Sequence, residues 1–240
     1  MITTNSKNID VQNDIEWRYS ADLVDYETAL STMETRVADI IAGNALELIW
    51  SLEHPPIYTS GSSSKKEDLL QPDRFPVYNV GRGGQYTYHG PGQRVVYLML
   101  NLKKRQPDLR SFVKDIELWV IKSLNQFGID CKTYEDRIGV WVDSGISNKK
   151  IAAVGIRVKH WITFHGFSIN VYPDLEHFSG IVPCGITDCG VTSIKQLGIS
   201  CNMTDLDIAL SRRIIRDIKD RDRELDSVLE QYNTYVKPSY

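Results

Sequence analysis

Cys184 is the residue of this chain whose type and setting best suit covalent chemistry. It lies between Pro183 and Gly185 in the segment IVPCGI, residues 181–186. Because proline and glycine disfavour helix and strand interiors, this segment is predicted to be an irregular connection that presents the thiol to a substrate. Only the thiolate is a strong nucleophile, and a free cysteine, with a pKa of about 8.5, is mostly protonated at neutral pH. Catalysis by Cys184 therefore requires a nearby group that lowers its pKa.

Lys150 is the candidate for that group. It begins the segment KIAAVGIR, residues 150–157, which is apolar and typical of a strand. Three residues of this segment are small: Ala152, Ala153 and Gly155. Small residues on a sheet surface leave room for a narrow slot that holds an alkyl chain. The alternative is a sheet that packs under a helix, with Lys150 solvated like its neighbour Lys149.

A glycine-rich segment, GRGGQYTYHGPGQ, spans residues 81–93. Glycine lets main-chain N–H groups approach a ligand, and the side chains of Arg82 and His89 add polar contacts. The segment is neither a Walker loop nor a dinucleotide fingerprint, because no GK[ST] follows it and HGP at residues 89–91 cannot begin a helix that faces a phosphate. Considered alone, it fits a tight hairpin with a structural arginine equally well.

A further segment, TFHGFSIN at residues 163–170, alternates as a strand does. Gly166 within it favours a bulge or the close approach of another backbone. His165 is a candidate site residue, and a hydrogen-bonded structural histidine is an equal alternative.

The elements that must position these segments follow from hydrophobic periodicity and turn residues. Helices are predicted over residues 22–42, 108–127 and 204–229, and a mobile loop over 59–66. Strands are predicted over 15–19, 45–52, 77–80, 93–102, 129–134, 139–143, 150–159 and 163–171. The last four follow one another without a helix, as hairpins do. This order favours an α/β (α+β) fold with a mixed, largely antiparallel sheet flanked by helices.

Composition limits the classes of function. The chain has 240 residues and a net charge of −3, with basic residues in short pairs, which argues against nucleic-acid binding. No apolar run reaches the roughly 18 residues of a membrane span, and the N-terminus lacks the pattern of a signal peptide. None of the four cysteines forms a CxxC pair, so we expect free thiols, no metal site and a cytoplasmic location. We predict a single domain over residues 15–240, preceded by a flexible tail over 1–14.

Taken together, these segments resemble the lipoyl(octanoyl) transferases, which move an octanoyl group from acyl carrier protein onto lipoyl domains. The resemblance covers residues 15–215, and its motifs occur in the family's order. They are HPP at 54–56, RGGQYTYHGPGQ at 82–93, GVWV at 139–142, KIAAVGIR at 150–157, HGFSIN at 165–170, PCGI at 183–186 and TSI at 192–194. The resemblance implies a biotin/lipoate protein ligase-like fold and an acyltransferase activity.

The resemblance also implies roles for residues in four of these motifs. Cys184 is expected to form an acyl-thioester intermediate, and Lys150 to lie against it, lower its pKa and accept a proton from the incoming amine. The residues expected to line the acyl pocket are Arg82, Gly83, Gly84, Gln85, Tyr86, Thr87, Tyr88, His89, Ala153, Val154, Gly155, Gly166, Phe167 and Ser168. The other cysteines fall outside the motifs and are interpreted as structural: Cys131, Cys189 and Cys201.

Two protein substrates and no cofactor are implied in the same way. The donor is octanoyl-acyl carrier protein, which carries the acyl group on its own phosphopantetheine arm. The acceptors are lipoyl domains of 2-oxoacid dehydrogenase complexes and the glycine cleavage H protein. The reaction is then the first step of protein lipoylation, and it requires no metal or nucleotide.

Three alternatives stay open at this point. A lipoate or biotin protein ligase would activate the acid with ATP, and Cys184 and the missing phosphate-binding loop argue against it. A cysteine hydrolase would have to admit water to the acyl-enzyme. A non-catalytic module that binds lipoyl domains or carrier protein would tolerate the loss of Cys184.

Overall fold

The computed structural model describes residues 6–12, 15–143, 145, 147–182 and 190–235, and only the backbone of 6–12 and 223–235. The strands of this part are β1 Ser6–Gln12, β2 Ile15–Leu23, β3 Glu47–Glu53, β4 Ile57–Ser60, β5 Val77–Asn79, β6 Thr87–His89, β7 Gln93–Met99, β8 Val140–Asp143, β9 Asn148–Lys159, β10 Ile162–Asn170 and β11 Gly190–Val191. Its α-helices are α1 Tyr26–Ala42, α2 Leu109–Leu124 and α3 Met203–Tyr235. Short 3₁₀ helices span Lys66–Asp68, Leu102–Lys104, Asn125–Phe127 and Leu175–Gly180.

The main sheet has the strand order β1-β2-β3-β7-β10-β9-β11, and β8 pairs with β9. The β2–β3 and β9–β11 pairs are parallel, and the other pairs of this sheet are antiparallel. A small second sheet has the order β5-β4-β6. The prediction of a mixed, largely antiparallel sheet with flanking helices is confirmed.

Helices cover both faces of the main sheet. Since side chains alternate along a strand, successive residues of β3 and β7 enter two different cores. One core joins α1 to the sheet through Ala29, Met33, Val37, Leu48, Trp50, Leu52, Val95, Tyr97 and Met99. The other joins α2 and α3 to the opposite face, with Ile49, Val96 and Leu98 among its sheet residues. Burial on both faces explains why β7 is buried along its whole length.

The helix ends follow local sequence signals. Helix α1 begins at Tyr26 and not at residue 22, because β2 continues to Leu23 and the side chain of Asp25 caps the helix by accepting hydrogen bonds from two backbone N–H groups. It ends, as predicted, at Gly43, which has a left-handed φ of 76°. Asp108 caps α2 as predicted. No described helix is long and apolar enough to cross a membrane.

Several predictions of strands were wrong. Residues 129–134 form no strand, although Ile129 and Cys131 both enter the core, and Lys132 makes only an isolated bridge to Trp141. The polar segment that follows turns away before a ladder can form. Strands β4 and β6 were missed because they adjoin prolines and glycines, and β4 includes the first two residues of the predicted mobile loop 59–66. Strand β1 lies within residues 1–14, for which a flexible tail was predicted. The single-domain assignment stays a prediction.

Candidate active site

A cavity of about 1120 Å³ lies along β9 and β10. Thirteen of the fourteen residues predicted to line an acyl pocket line this cavity: Arg82, Gly83, Gly84, Gln85, Tyr86, Thr87, His89, Ala153, Val154, Gly155, Gly166, Phe167 and Ser168. Lys150 and His165 also line it. The fold thus brings together the glycine-rich segment, the strand that begins near Lys150 and the strand that contains His165.

The glycine-rich segment is docked directly onto β9. The backbone N–H of Gly83 donates to the carbonyl oxygen of Ile156 at 3.1 Å. A Cβ atom on Gly155 would lie 2.8 Å from Cδ of Arg82, so this position must lack a side chain for the segment to approach. The guanidinium of Arg82 donates to the backbone oxygen and hydroxyl of Thr59 at 2.9 and 2.7 Å. Arg82 therefore both lines the cavity and fixes the segment in place.

Tyr88 is the one predicted pocket residue in the described part that does not line the cavity. Because side chains alternate on β6, Thr87 and His89 face the cavity and Tyr88 points to the other side. Its ring packs against Tyr58 and Phe178, in a separate core cluster. The resemblance had placed the whole run Arg82–His89 at the pocket, and strand alternation corrects this assignment for Tyr88.

Gly166 and His165 form an irregularity in β10. A Cβ atom on Gly166 would lie 1.9 Å from the carbonyl oxygen of Val96, so the predicted close approach of another backbone is confirmed. His165 has a left-handed φ of 59°, which is uncommon for a residue other than glycine. Its side chain is 3% exposed, and its Nε2 atom has no hydrogen-bond partner within the described part of the chain. Strained backbone and an unsatisfied buried nitrogen at the cavity favour the ligand-binding interpretation of His165 over the structural one.

Two other buried histidines lie near His165: His89, which lines the cavity, and His54, which does not and whose ring centre is 5.9 Å from that of His89. Nδ1 of His54 lies 2.6 Å from the Val24 carbonyl oxygen and its Nε2 lies 2.7 Å from the Tyr97 hydroxyl. Nδ1 of His89 lies 2.6 Å from Oε1 of Gln93. Burial lowers the pKa of His54 to about 4 and those of His89 and His165 to about 3. All three rings are therefore neutral at pH 7.

Lys150 is buried, unlike the half-buried Lys149, so the interpretation that it is solvated like its neighbour is wrong. It is 7% exposed. Its Nζ atom donates to the carbonyl oxygen of Ile138 at 3.0 Å and lies 4.6 Å from the centre of the Trp141 ring. A carbonyl oxygen and an aromatic face thus hold the ammonium in place, where its positive charge can stabilise an anion in the cavity.

Glu117 is a site residue that sequence reasoning missed. It lies on the buried face of α2, is 6% exposed and lines the cavity. Its Oε1 atom accepts a hydrogen bond from the backbone N–H of Gly139 at 2.7 Å. Burial raises the pKa of Glu117, whereas the Gly139 hydrogen bond and the charge of Lys150 act in the opposite direction. The available signal was one carboxylate among the apolar residues of an amphipathic helix.

Cys184 lies in residues 183–189, outside the part of the chain that the structure describes, as does Cys189. The preceding residue, Val182, donates its backbone N–H to the Asp68 carbonyl oxygen at 2.7 Å. After the segment, β11 pairs with β9 so that Val191 is opposite Lys150, and the Thr192 N–H donates to the Lys150 carbonyl oxygen at 2.9 Å. The contact predicted between Cys184 and Lys150 stays a prediction, and the C-terminal flank of the cysteine segment reaches Lys150.

Comparison with known proteins identifies the family. The model of the lipoyl protein ligase A/B catalytic domain matches residues 25–214. The chain belongs to this family. An octanoyltransferase from Zymomonas mobilis is 57% identical over 199 residues, which cover 83% of the chain and 92% of that protein. An octanoyltransferase from Parvibaculum lavamentivorans is 55% identical over 207 residues, which cover 85% and 92%. The predictions of the family and of an acyltransferase activity are confirmed.

Solved structures of low sequence identity share the fold. A lipoate-protein ligase A bound with ATP superposes with a TM-score of 0.63 at 16% identity, covering 85% of this chain and 92% of that one. A bipartite lipoate protein ligase from Thermoplasma acidophilum, described with its E2 lipoyl domain, gives 0.61 at 15% identity, covering 85% and 89%. These likenesses confirm the lipoate protein ligase-like fold.

Proposed function

We propose that this enzyme transfers an octanoyl group from octanoyl-acyl carrier protein to a lysine of lipoyl domains through a thioester on Cys184. The main observation in support of the mechanism is the pairing of Val191 with Lys150. Because Val191 follows the cysteine segment closely, this pairing places the C-terminal flank of that segment beside a buried lysine at the cavity. The family and the octanoyltransferase names of its relatives support the same activity.

The first half-reaction forms the acyl-enzyme. The Cys184 thiolate attacks the carbonyl carbon of the donor thioester, and the bond from that carbon to the phosphopantetheine sulfur breaks. The released thiolate takes a proton from the Lys150 ammonium, which leaves Lys150 as a neutral amine for the second half-reaction. An ammonium beside Cys184 favours its thiolate form by opposite-charge attraction and so lowers its pKa. In this step Lys150 acts as the counter-ion.

The second half-reaction forms the amide. The lysine amine of the lipoyl domain attacks the acyl-enzyme, its nitrogen loses a proton, and Cys184 leaves as a thiolate. Lys150 is the proposed proton acceptor, since general-base catalysis needs a group whose protonation state changes within the site. No metal or nucleotide takes part in either step of this proposal.

The cavity is the proposed acyl site. The segments that line it combine small residues, Ala153 and Gly155, with apolar ones such as Val154 and Phe167. Burial of an alkyl chain contributes about 0.8 kcal/mol per methylene, so a cavity of fixed depth discriminates between chain lengths. The acceptors we propose are lipoyl domains of 2-oxoacid dehydrogenase complexes and the glycine cleavage H protein, in the cytoplasm.

Intact-mass spectrometry tests the proposal. After incubation with octanoyl-acyl carrier protein, the wild-type chain should gain one octanoyl group that hydroxylamine removes. Cys184→Ser should show no thioester and no transfer to a lipoyl domain, and Cys201→Ser, at a half-buried thiol outside the cavity, should behave as wild type. A wild-type chain without an adduct, or one that transfers octanoate only when ATP is added, would contradict the proposal.

A further inference from the structure

We propose that Glu117 is a positioning residue that acts on Lys150 through the peptide bond between Ile138 and Gly139. This inference rests on the role proposed for Lys150. It gives a function to the GVWV motif, whose first residue is Gly139, and to a buried carboxylate that the two half-reactions do not use.

One peptide unit connects the two side chains. Its oxygen, from Ile138, accepts from Nζ of Lys150 at 3.0 Å, and its N–H, from Gly139, donates to Oε1 of Glu117 at 2.7 Å. The carboxylate, the peptide and the ammonium therefore form one hydrogen-bonded chain. Successive hydrogen bonds polarise each other, so a negative charge on Glu117 makes the Ile138 oxygen a stronger acceptor for the ammonium.

The backbone at Gly139 is shaped to hold this peptide unit. Gly139 has a φ of 122°, a conformation that other residues rarely adopt. A Cβ atom there would lie 2.7 Å from the Ala152 carbonyl oxygen and 3.2 Å from Cε of Lys150. The β8–β9 pairing shifts register immediately afterwards, between Val140 and Trp141. This irregularity turns the Ile138–Gly139 peptide away from the ladder, so that its two polar groups bond to side chains.

Burying a carboxylate costs free energy, so a carboxylate at a buried position calls for a compensating benefit. A glutamine at position 117 would accept the same hydrogen bond from Gly139 without the cost of burying a charge. The charged groups around Glu117 are Lys150 on β9 and Lys114 on its own helix, and both lower its pKa against the effect of burial. The loop between α2 and β8 contributes further charged residues to the cavity lining: Glu135, Asp136 and Arg137. The benefit of an anion at this position is that it favours the ammonium form of Lys150.

Two substitutions separate the charge of Glu117 from its hydrogen bond. Glu117→Gln retains an acceptor for Gly139 and removes the charge, whereas Glu117→Ala removes both. Glu34→Gln, at an exposed position of α1, is the matched control for the loss of one negative charge. The measurement is the pH dependence of kcat/KM for the acyl donor, which reports ionisations of the free enzyme.

In Glu117→Gln we expect kcat/KM to fall about tenfold and the alkaline limb of its pH profile to move to lower pH by about one pH unit, because the ammonium of Lys150 loses a stabilising charge. Glu34→Gln should retain the wild-type profile. A Glu117→Gln enzyme with the wild-type profile and rate, beside an impaired Glu117→Ala, would mean that Glu117 only holds the loop, and the inference would be wrong.

The proposed function is tested separately by the octanoyl adduct. If the wild-type chain forms the adduct and Glu117→Gln keeps an unchanged profile, only the inference fails. If the wild-type chain forms no adduct, the proposed function itself fails, whatever the variants do.

Discussion

At one end of the cavity Lys150 and Glu117 are buried as members of one hydrogen-bonded chain, and at the other end His89 and His165 are buried as neutral rings. Both ends adjoin β9. His165 pairs with Ile156, six positions beyond Lys150, which corresponds to about 20 Å along the strand. Strand β9 thus has a lysine and a carboxylate beside it at one place, and neutral histidines beside the buried guanidinium of Arg82 at the other.

The difference has a simple physical cause. Burial disfavours the charged form of any group, and a histidine responds by staying neutral because its ordinary pKa is already near 7. A lysine has a much higher ordinary pKa and is therefore harder to neutralise by burial. The peptide that links Lys150 to the Glu117 carboxylate further favours the charged form of the lysine. We therefore propose that the covalent chemistry takes place at the end with Lys150, and that the end with the neutral histidines binds an uncharged part of the ligand.

Loss of the cation at the ionic end should have the largest effect. Lys150→Ala is expected to lower the transfer rate 10²- to 10⁴-fold, the usual contribution of a general acid–base group, with little change in the fold. Single-turnover transfer from the octanoyl donor measures it, and circular dichroism checks the fold. Lys149→Ala, at the half-buried neighbour, is the control. Near-normal transfer by Lys150→Ala would remove the functional distinction between the two ends.

Acid should lower the stability of the protein through its buried histidines, of which His89 and His165 lie at the neutral end of the cavity. The pKa values of His54, His89 and His165 are lowered in the folded state, so the unfolded chain binds protons below about pH 6.5 that the folded chain does not. The free energy of unfolding therefore has its full value above about pH 6.5. It falls as the pH decreases, by about 2 kcal/mol per histidine between pH 7 and 5. Urea unfolding at a series of pH values measures the loss.

His165→Gln should remove one histidine's share of this pH dependence, and His160→Gln, at an exposed turn, should not. An unchanged pH dependence in His165→Gln would mean that this ring is protonated in the folded state, and the contrast between the ends would weaken.

Gly139→Ala tests the peptide that joins the ionic groups. Strain at a left-handed φ costs of order 1–3 kcal/mol, and the added methyl would also press on the Ala152 carbonyl oxygen. We expect a lower urea midpoint and reduced transfer. Gly145 has a similarly positive φ of 80°, but no atom of the described residues lies within 4 Å of the methyl group that Gly145→Ala would add, so this variant should cost less and leave transfer intact. Equal effects of the two variants would argue against a special role for the 138–139 peptide.

The smallest expected effect concerns the wall between the two ends. Ala153→Leu should fill part of the cavity and shift the preference toward shorter acyl chains, by about 0.8 kcal/mol for each methylene excluded. Competition between hexanoyl and octanoyl donors measures the shift. Ala42→Leu, at an exposed helix end, should leave the preference unchanged. An unaltered preference in Ala153→Leu would place the acyl chain elsewhere.

Most of the site could be predicted because its residues fall in segments of unusual composition. Glycines at 83, 84 and 155 mark places where two backbones approach, and such positions are visible in a sequence. Glu117 was missed as a site residue because a single carboxylate in a helix looks like many surface residues. Tyr88 was assigned to the pocket because the resemblance treats its segment as one unit.

The sequence by itself determined the local features: the caps at Asp108 and Gly43, the apolar run of β7, and the cysteine and lysine whose types suit thioester chemistry. Only the tertiary structure decided which of these side chains are buried together. Burial and strand register depend on contacts between residues distant in the chain, such as Val191 with Lys150, and no local pattern encodes them. For the same reason, the link from Glu117 to Lys150 became visible only once α2, the loop before β8 and β9 were in place.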